Sequence, residues 1–124
     1  MGLLFIGIGG AFGAISRFLV SRLMNNLLPL SLVPWGTIVV NVLGAFLLAF
    51  MLTSHQLKFQ FSSNFLLMAG TGFLGAFTTF STFSYEVFQL LRESPLRALF
   101  YVSVTLFVGF AATYAGIVLA RMNS

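Results

Sequence analysis

The chain contains no cysteine and very few charged residues. Without cysteine, it can form neither a disulfide framework nor a thiolate metal site. Charged residues make up 6% of its 124 residues, whereas a soluble domain has about 25%. Because 59% of the residues are hydrophobic, the composition excludes a water-soluble protein and indicates an integral membrane protein with a single domain.

Acidic side chains are especially scarce. Glu86 and Glu93 are the only acids, and the sequence shows no nucleophile–base pair or cluster of metal ligands. The chain is therefore not expected to be an enzyme. Charged residues inside a membrane are functional candidates by default, which selects Glu86 and Arg17. Two interpretations of Arg17 stay open, since its guanidinium can reach the lipid headgroups or attract an anion into a vestibule.

Long apolar runs fill most of the chain. A spanning helix needs about 20 apolar residues. Four runs qualify as spans: 3–23, 34–52, 62–91 and 96–120. Asn25, Asn26 and Pro29 are expected to end the first helix and residues 53–56 the second, while Pro95 stops the third and opens the fourth. The third run is long for one helix, so we predict that it is broken near residues 75–79.

Small residues and charges together indicate an oligomer. Gly9 and Gly13 have a spacing that lets helices approach closely in lipid. With four spans, both termini lie on one side, together with Lys58 and Arg121. The opposite side carries these arginines: Arg22, Arg92 and Arg97, and also Arg17 if it lies near the membrane surface. This weak imbalance either favours termini outside or allows insertion in both orientations. Dual insertion, with two copies paired antiparallel, is therefore one hypothesis.

The segment 70–84 departs from the pattern of a spanning helix. Three glycines precede a run in which phenylalanines alternate with hydroxyl residues. Glycine permits non-helical backbone, and irregular backbone at membrane depth is tolerated only where it is buried in protein or lines a wet cavity. The segment therefore predicts a pore or a binding site. Phe80 and Phe83 share a helical face, which is more often a core stripe than a site, and both interpretations stay open.

Asn41 is the only side-chain amide within the first two predicted spans. A buried amide is costly unless it is paired. Asn41 therefore either forms an interhelical hydrogen bond or donates a hydrogen bond to an anion in a pore. Thr37 adds a hydroxyl one helical turn earlier. Aromatic ring edges are positive and suit a small anion, whereas backbone carbonyls at a helix break suit a cation. The residues alone leave the ligand open.

Three blocks of the chain, 9–17, 36–46 and 72–86, resemble the Fluc-type (CrcB-like) fluoride ion channels of bacteria. The specific feature is Asn41 combined with Thr-Thr-Phe-Ser-Thr-Phe-Ser at 78–84. The resemblance covers essentially the whole chain. It implies a passive, fluoride-selective channel that exports cytoplasmic fluoride and confers fluoride resistance. It further implies an antiparallel, dual-topology homodimer in the bacterial inner membrane, each subunit having four transmembrane helices with the third broken near mid-membrane.

The same resemblance implies roles for individual residues. Those assigned to the fluoride pore are Asn41, Phe80, Phe83, Ser81, Thr82, Tyr101 and Thr105. Arg17 is assigned to the aqueous vestibule. Backbone carbonyls of Gly75 and Thr78 are implied to hold a structural Na⁺ at the dimer interface.

Two other functions are alternatives to a channel. A proton-coupled multidrug exporter of the small four-span type needs an acid in its first span, and this first span has none. A non-catalytic assembly subunit of a larger membrane complex would explain the glycines. It would leave Asn41 and the segment 70–84 without a purpose.

Overall fold

A computed structural model describes residues 2–29, 32–58 and 60–122. Its helices are α1 (Gly2–Leu27), α2 (Trp35–Leu57), α3 (residues 63–77), α4 (Ser81–Glu93) and α5 (Pro95–Met122). Within these ranges, four helical units are long and apolar enough to cross a membrane: Gly2–Leu27, Trp35–Leu57, Ser63–Glu93 and Pro95–Met122. The predicted all-α class with four spanning helices is confirmed, and α3 and α4 together form the third span.

The helices extend farther than the predicted spans. α1 continues through Asn25 and Asn26, and α2 continues through Thr53 to Leu57. A polar residue costs a helix less than about 1 kcal/mol, so asparagine and threonine do not end a helix by themselves. Pro95 is the first residue of α5, a position where its missing N–H has no helical partner to lose.

The two halves of the third span pack against different neighbours. α3 packs against α1, whereas α4 packs against α5. α2 lies between them and contacts both α1 and α5. The point at which α3 gives way to α4 therefore lies beside α2, which joins the two helix pairs.

Glycines make the contact between α1 and α3 possible. A Cβ atom built on Gly9 or Gly13 would collide with the backbone of α3, at the carbonyls of Met68 and Phe73 respectively. From the other side, a Cβ on Gly72 would lie 2.6 Å from the carbonyl oxygen of Ile6. The two backbones are in direct contact, which is the packing that small residues permit in lipid.

Candidate functional site

α3 is irregular before it ends. Its middle portion, Leu67–Leu74, has π-helical hydrogen bonding, a geometry that is rare and frequently lies near functional sites. Gly75 has helical dihedral angles, φ −61° and ψ −38°, so the backbone at this glycine stays in the helix. Helical structure stops at Thr78, which is extended with φ −89° and ψ 161°, and α4 begins at Ser81.

Thr78 closes the C-terminal end of α3. Its backbone N–H donates to the carbonyl of Leu74 at 3.1 Å, and its hydroxyl donates to the same carbonyl at 3.0 Å. The methyl group of Thr78 lies against Gly44 of α2, where a Cβ atom would collide with it. The interruption between α3 and α4, residues 78–80, is therefore held tightly against α2.

Asn41 and Thr79 form a reciprocal pair of hydrogen bonds. The N–H of Thr79 donates to Asn41 Oδ1 at 2.8 Å, and Asn41 Nδ2 donates to the carbonyl of Thr79 at 2.9 Å. Both backbone groups of Thr79 are thus satisfied by one side chain of α2. An interhelical hydrogen bond, one of the two interpretations of Asn41, is therefore present.

Thr79 also starts the next helix, a role that the sequence analysis missed. Its Oγ1 accepts the backbone N–H of Thr82 at 3.1 Å, which satisfies one of the free donors at the beginning of α4. The sequence feature that could have predicted this role is the spacing of Thr79 and Thr82, because a hydroxyl residue that caps a helix lies three positions before the residue whose N–H it accepts.

A cavity of about 440 Å³ lies beside the interruption. Its lining residues come from α2, the third span and α5: Asn41, Gly44, Ala45, Leu48, Gly70, Leu74, Gly75, Thr78, Thr79, Phe80, Phe83, Thr105 and Leu106. This set includes most of the predicted site residues and no charged side chain. Within the described part of the chain, Thr105 Oγ1 is the one buried side-chain polar atom without a hydrogen-bond partner.

The two phenylalanines have different surroundings. Phe80 is 77% exposed on the subunit, whereas Phe83 packs against the buried core that contains Tyr101. The rings of Phe80 and Phe83 are 6.1 Å apart and tilted by 52°, and the ring of Phe83 is 5.2 Å from that of Tyr101. Phe80 is therefore not a core residue of the subunit, while Phe83 joins the cavity to the core.

Tyr101 lies beyond the cavity, between it and a second depression. Its side chain is fully buried, and its hydroxyl donates to Glu86 Oε1 at 2.8 Å. Glu86 lines a depression of about 590 Å³ together with Arg92, Glu93 and Arg97. Aromatic and polar side chains thus connect the apolar cavity to a polar surface near the turn between α4 and α5.

Ser81, Thr82 and Arg17 are not among the lining residues of either cavity. Ser81 Oγ lies 3.4 Å from Thr79 Oγ1, so Ser81 and Thr82 both belong to the capped start of α4. Arg17 is half-buried on α1. The structure places these three residues around the interruption or on α1 rather than inside the cavity.

The described residues contain no group of three or more His, Asp or Glu side chains that could hold a metal ion. Backbone carbonyl oxygens can also hold a cation where a helix is broken. The carbonyl of Gly75 is such an oxygen, because Thr79 N–H, its helical donor, is bonded to Asn41.

Comparison with known proteins places these features in a family. The model of the family described as CrcB-like protein, Camphor Resistance (CrcB), matches residues 4–117. A fluoride-specific ion channel FluC of Thermosipho melanesiensis is 54% identical over 121 residues, 98% of this chain and 97% of the relative. One from Thermotoga maritima is 48% identical, over 94% of this chain and 91% of the relative. Another, from Methanopyrus kandleri, is 38% identical, over 94% and 87%.

Proposed function

The chain belongs to the CrcB-like family, and from that membership we propose that it is a passive, fluoride-selective channel. It conducts cytoplasmic fluoride out of the cell down its electrochemical gradient and so confers fluoride resistance. The resemblance predicted from the residues is confirmed by the family match. The protein is a multi-pass membrane protein, and we place it in the bacterial inner membrane.

The composition of the cavity supports the proposal. Asn41 and Thr105 offer an amide and a hydroxyl, the rings of Phe80 and Phe83 offer edges, and the other lining residues are small, hydroxylic or aliphatic. An anion is attracted by amide and hydroxyl hydrogens and by positive ring edges. No charged side chain lines this cavity, so the ion is not trapped, which a conducting site requires.

The remaining site residues extend the pathway. Tyr101 follows Phe83 by ring contact, and its hydroxyl leads to Glu86 at the polar depression. Ser81 and Thr82 supply hydroxyls at the start of α4, beside the exposed ring of Phe80. We assign Arg17 to the aqueous vestibule, where its positive charge raises the local concentration of anions.

An antiparallel homodimer completes the pathway. Phe80 is 77% exposed and Gly75 is exposed, although both lie beside the interruption of the third span. Irregular backbone in a bilayer is tolerated only when protein or water covers it, which supports a second copy at this face. The weak imbalance of loop charge supports dual insertion.

A structural Na⁺ at the dimer interface fits the chemistry of the interruption. Broken helices hold cations with backbone carbonyls. The carbonyl of Gly75 has lost its helical donor to Asn41, and Thr78 is extended, so both residues can present carbonyl oxygens. When bound, the ion would supply positive charge that holds these carbonyls together.

The cellular logic follows from acid–base chemistry. Neutral hydrogen fluoride crosses membranes, ionises in the cytoplasm and is trapped there as fluoride. A membrane potential, negative inside, drives an anion outward with about 2.3 kcal/mol per charge per 100 mV. A passive pore therefore suffices and needs no coupled proton. This agrees with the absence of any acidic residue from α1, which counts against the multidrug exporter.

Fluoride efflux from liposomes that contain the purified protein tests the proposal. Vesicles loaded with potassium fluoride should release fluoride when valinomycin is added, as recorded with a fluoride electrode. Vesicles loaded with potassium chloride provide the selectivity control. An assembly subunit without a pore would release neither ion, and equal release of both would contradict fluoride selectivity.

A further inference from the structure

Asn41 serves the interruption of the third span as much as it serves the cavity. Its Oδ1 accepts the N–H of Thr79, and one Nδ2 hydrogen is donated to the carbonyl of Thr79. An amide oxygen offers two lone pairs and an amide nitrogen two hydrogens. A single N–H of Asn41 therefore remains for an ion in the cavity.

The pairing resembles the two hydrogen bonds that a residue exchanges with the residue opposite it in an antiparallel sheet. In a continuous helix, the N–H of Thr79 would donate to the carbonyl of Gly75, one turn earlier. Here the side chain of Asn41 takes that N–H at 2.8 Å. Thr79 is thereby held away from the helical path while its buried polar groups stay satisfied, which removes the cost of leaving them unpaired.

We propose that Asn41 is a positioning residue whose amide replaces the missing peptide partner of Thr79 and thereby maintains the interruption. Two consequences follow. Thr79 stays in place to cap α4 through Thr82, which fixes where Phe80 and Phe83 lie. The carbonyl of Gly75 also stays free of its helical donor. The importance of this second consequence rests on the proposed function, because the Na⁺ that would bind the carbonyl of Gly75 is part of that proposal.

Contacts of the neighbouring residue Thr78 also hold the interruption in place. Gly44, one helical turn after Asn41, leaves room for the methyl group of Thr78. The hydroxyl of Thr78 folds back onto Leu74. Thr78 and Thr79 are thus each fixed by a different contact with α2, so the position of the interruption depends on α2 as well as on its own residues.

Amide hydrogen exchange tests the proposal without measuring ion flux. In the full-length protein in detergent, the Thr79 amide should be protected although it lies between two helices. Asn41→Ala should accelerate its exchange about tenfold, the effect of losing its hydrogen-bond acceptor. Asn26→Ala, at an exposed asparagine near the end of α1, is the matched control and should leave Thr79 unchanged.

The Asn41→Asp variant supplies a second readout if the alanine variant does not fold. A neutral carboxylic acid accepts and donates as an amide does, whereas a carboxylate only accepts. After correction for intrinsic exchange, Thr79 in this variant should be protected in acid at least as strongly as at neutral pH. If its exchange equals that of an unprotected amide at every pH, the positioning role is wrong.

Flux and exchange together separate this proposal from the proposed function. If Asn41→Ala stops fluoride efflux but leaves Thr79 exchange unchanged, Asn41 acts directly on the ion and the positioning role is overturned. If Thr79 exchange responds as expected but the wild-type protein releases no fluoride, the positioning role stands and the channel function fails.

The sodium dependence of the melting temperature tests whether Asn41 keeps the carbonyl of Gly75 available to a cation. Replacing Na⁺ with N-methylglucamine should lower the melting temperature of the wild-type dimer, and Asn41→Ala should lose most of that sodium-dependent difference. If the alanine variant keeps the full sodium effect while Thr79 exchanges freely, Asn41 does not control the Gly75 carbonyl.

Discussion

The hydroxyl of Tyr101 and the carboxylate of Glu86 are joined by a hydrogen bond of 2.8 Å between α5 and α4. Tyr101 is fully buried, and its hydroxyl links the ring of Phe83, at the cavity, to Glu86, at the polar depression. It also ties the second half of the third span to the fourth.

Tyr101→Phe should destabilise the subunit, because it leaves the Glu86 carboxylate without this donor. The loss should be about 1–3 kcal/mol, the usual cost of stranding a partly buried polar group. Thermal unfolding in detergent measures it. Glu86→Gln is the matched control, since its amide oxygen still accepts from Tyr101, and it should cost clearly less. Equal losses in the two variants would mean that the hydrogen bond contributes little.

Phe80→Ile should reduce fluoride efflux sharply because its ring lines the cavity, and it should destabilise the fold of the subunit less than Phe83→Ile, because Phe80 is 77% exposed on the subunit. Phe83→Ile should reduce efflux and also lower stability, since Phe83 packs against the core of Tyr101. Efflux from liposomes and thermal unfolding are the two measurements. Normal efflux in both variants would show that the rings serve packing alone.

Gly44→Ala should destabilise the interruption, because the added Cβ atom would collide with the methyl group of Thr78. Overpacking of this kind costs about 1–3 kcal/mol. Thr78→Ser removes the methyl group and keeps the hydroxyl that bonds Leu74. The double variant should therefore recover much of the lost thermal stability. Without such recovery, the collision with Thr78 is not the cause of the loss.

Gly13→Ala should weaken the contact between α1 and α3, where a Cβ atom would collide with the carbonyl of Phe73. Thermal stability should fall by about 1–3 kcal/mol. Gly7→Ala, on the same helix, has open space around its Cβ position. This control should be neutral or slightly stabilising, because alanine favours a helix over glycine. A comparable loss in the two variants would argue against specific packing at Gly13.

The class of the fold was predictable because hydropathy and length are properties of the chain itself. Four apolar runs separated by Pro29, Lys58 and Pro95 left little choice of architecture. Local propensity was a weaker guide to helix ends, and α1 runs through Asn25 and Asn26. Helical structure stops at Thr78, whereas Gly75 keeps helical dihedral angles, and the side chain of Thr78 contacts Gly44 of α2.

The candidate site was predictable where chemistry is unusual for a membrane span. Asn41, Phe80 and Phe83 were conspicuous as an amide and a pair of rings in an apolar chain, and they line one cavity. Thr79 was missed, because its importance arises from an asparagine that is distant in sequence. The bond between Tyr101 and Glu86 was missed for the same reason, since it depends on how α4 and α5 are aligned.

The separate anchoring of α3 and α4 has a consequence for assembly during synthesis. α4 and α5 are joined at Ser94 and form a local hairpin, whereas α3 must return to α1 across the whole of α2. α5 leaves the ribosome after α1, α2, α3 and α4, and it supplies Thr105 and Leu106 to the cavity. A chain that stalls before α5 would therefore lack one wall of the cavity.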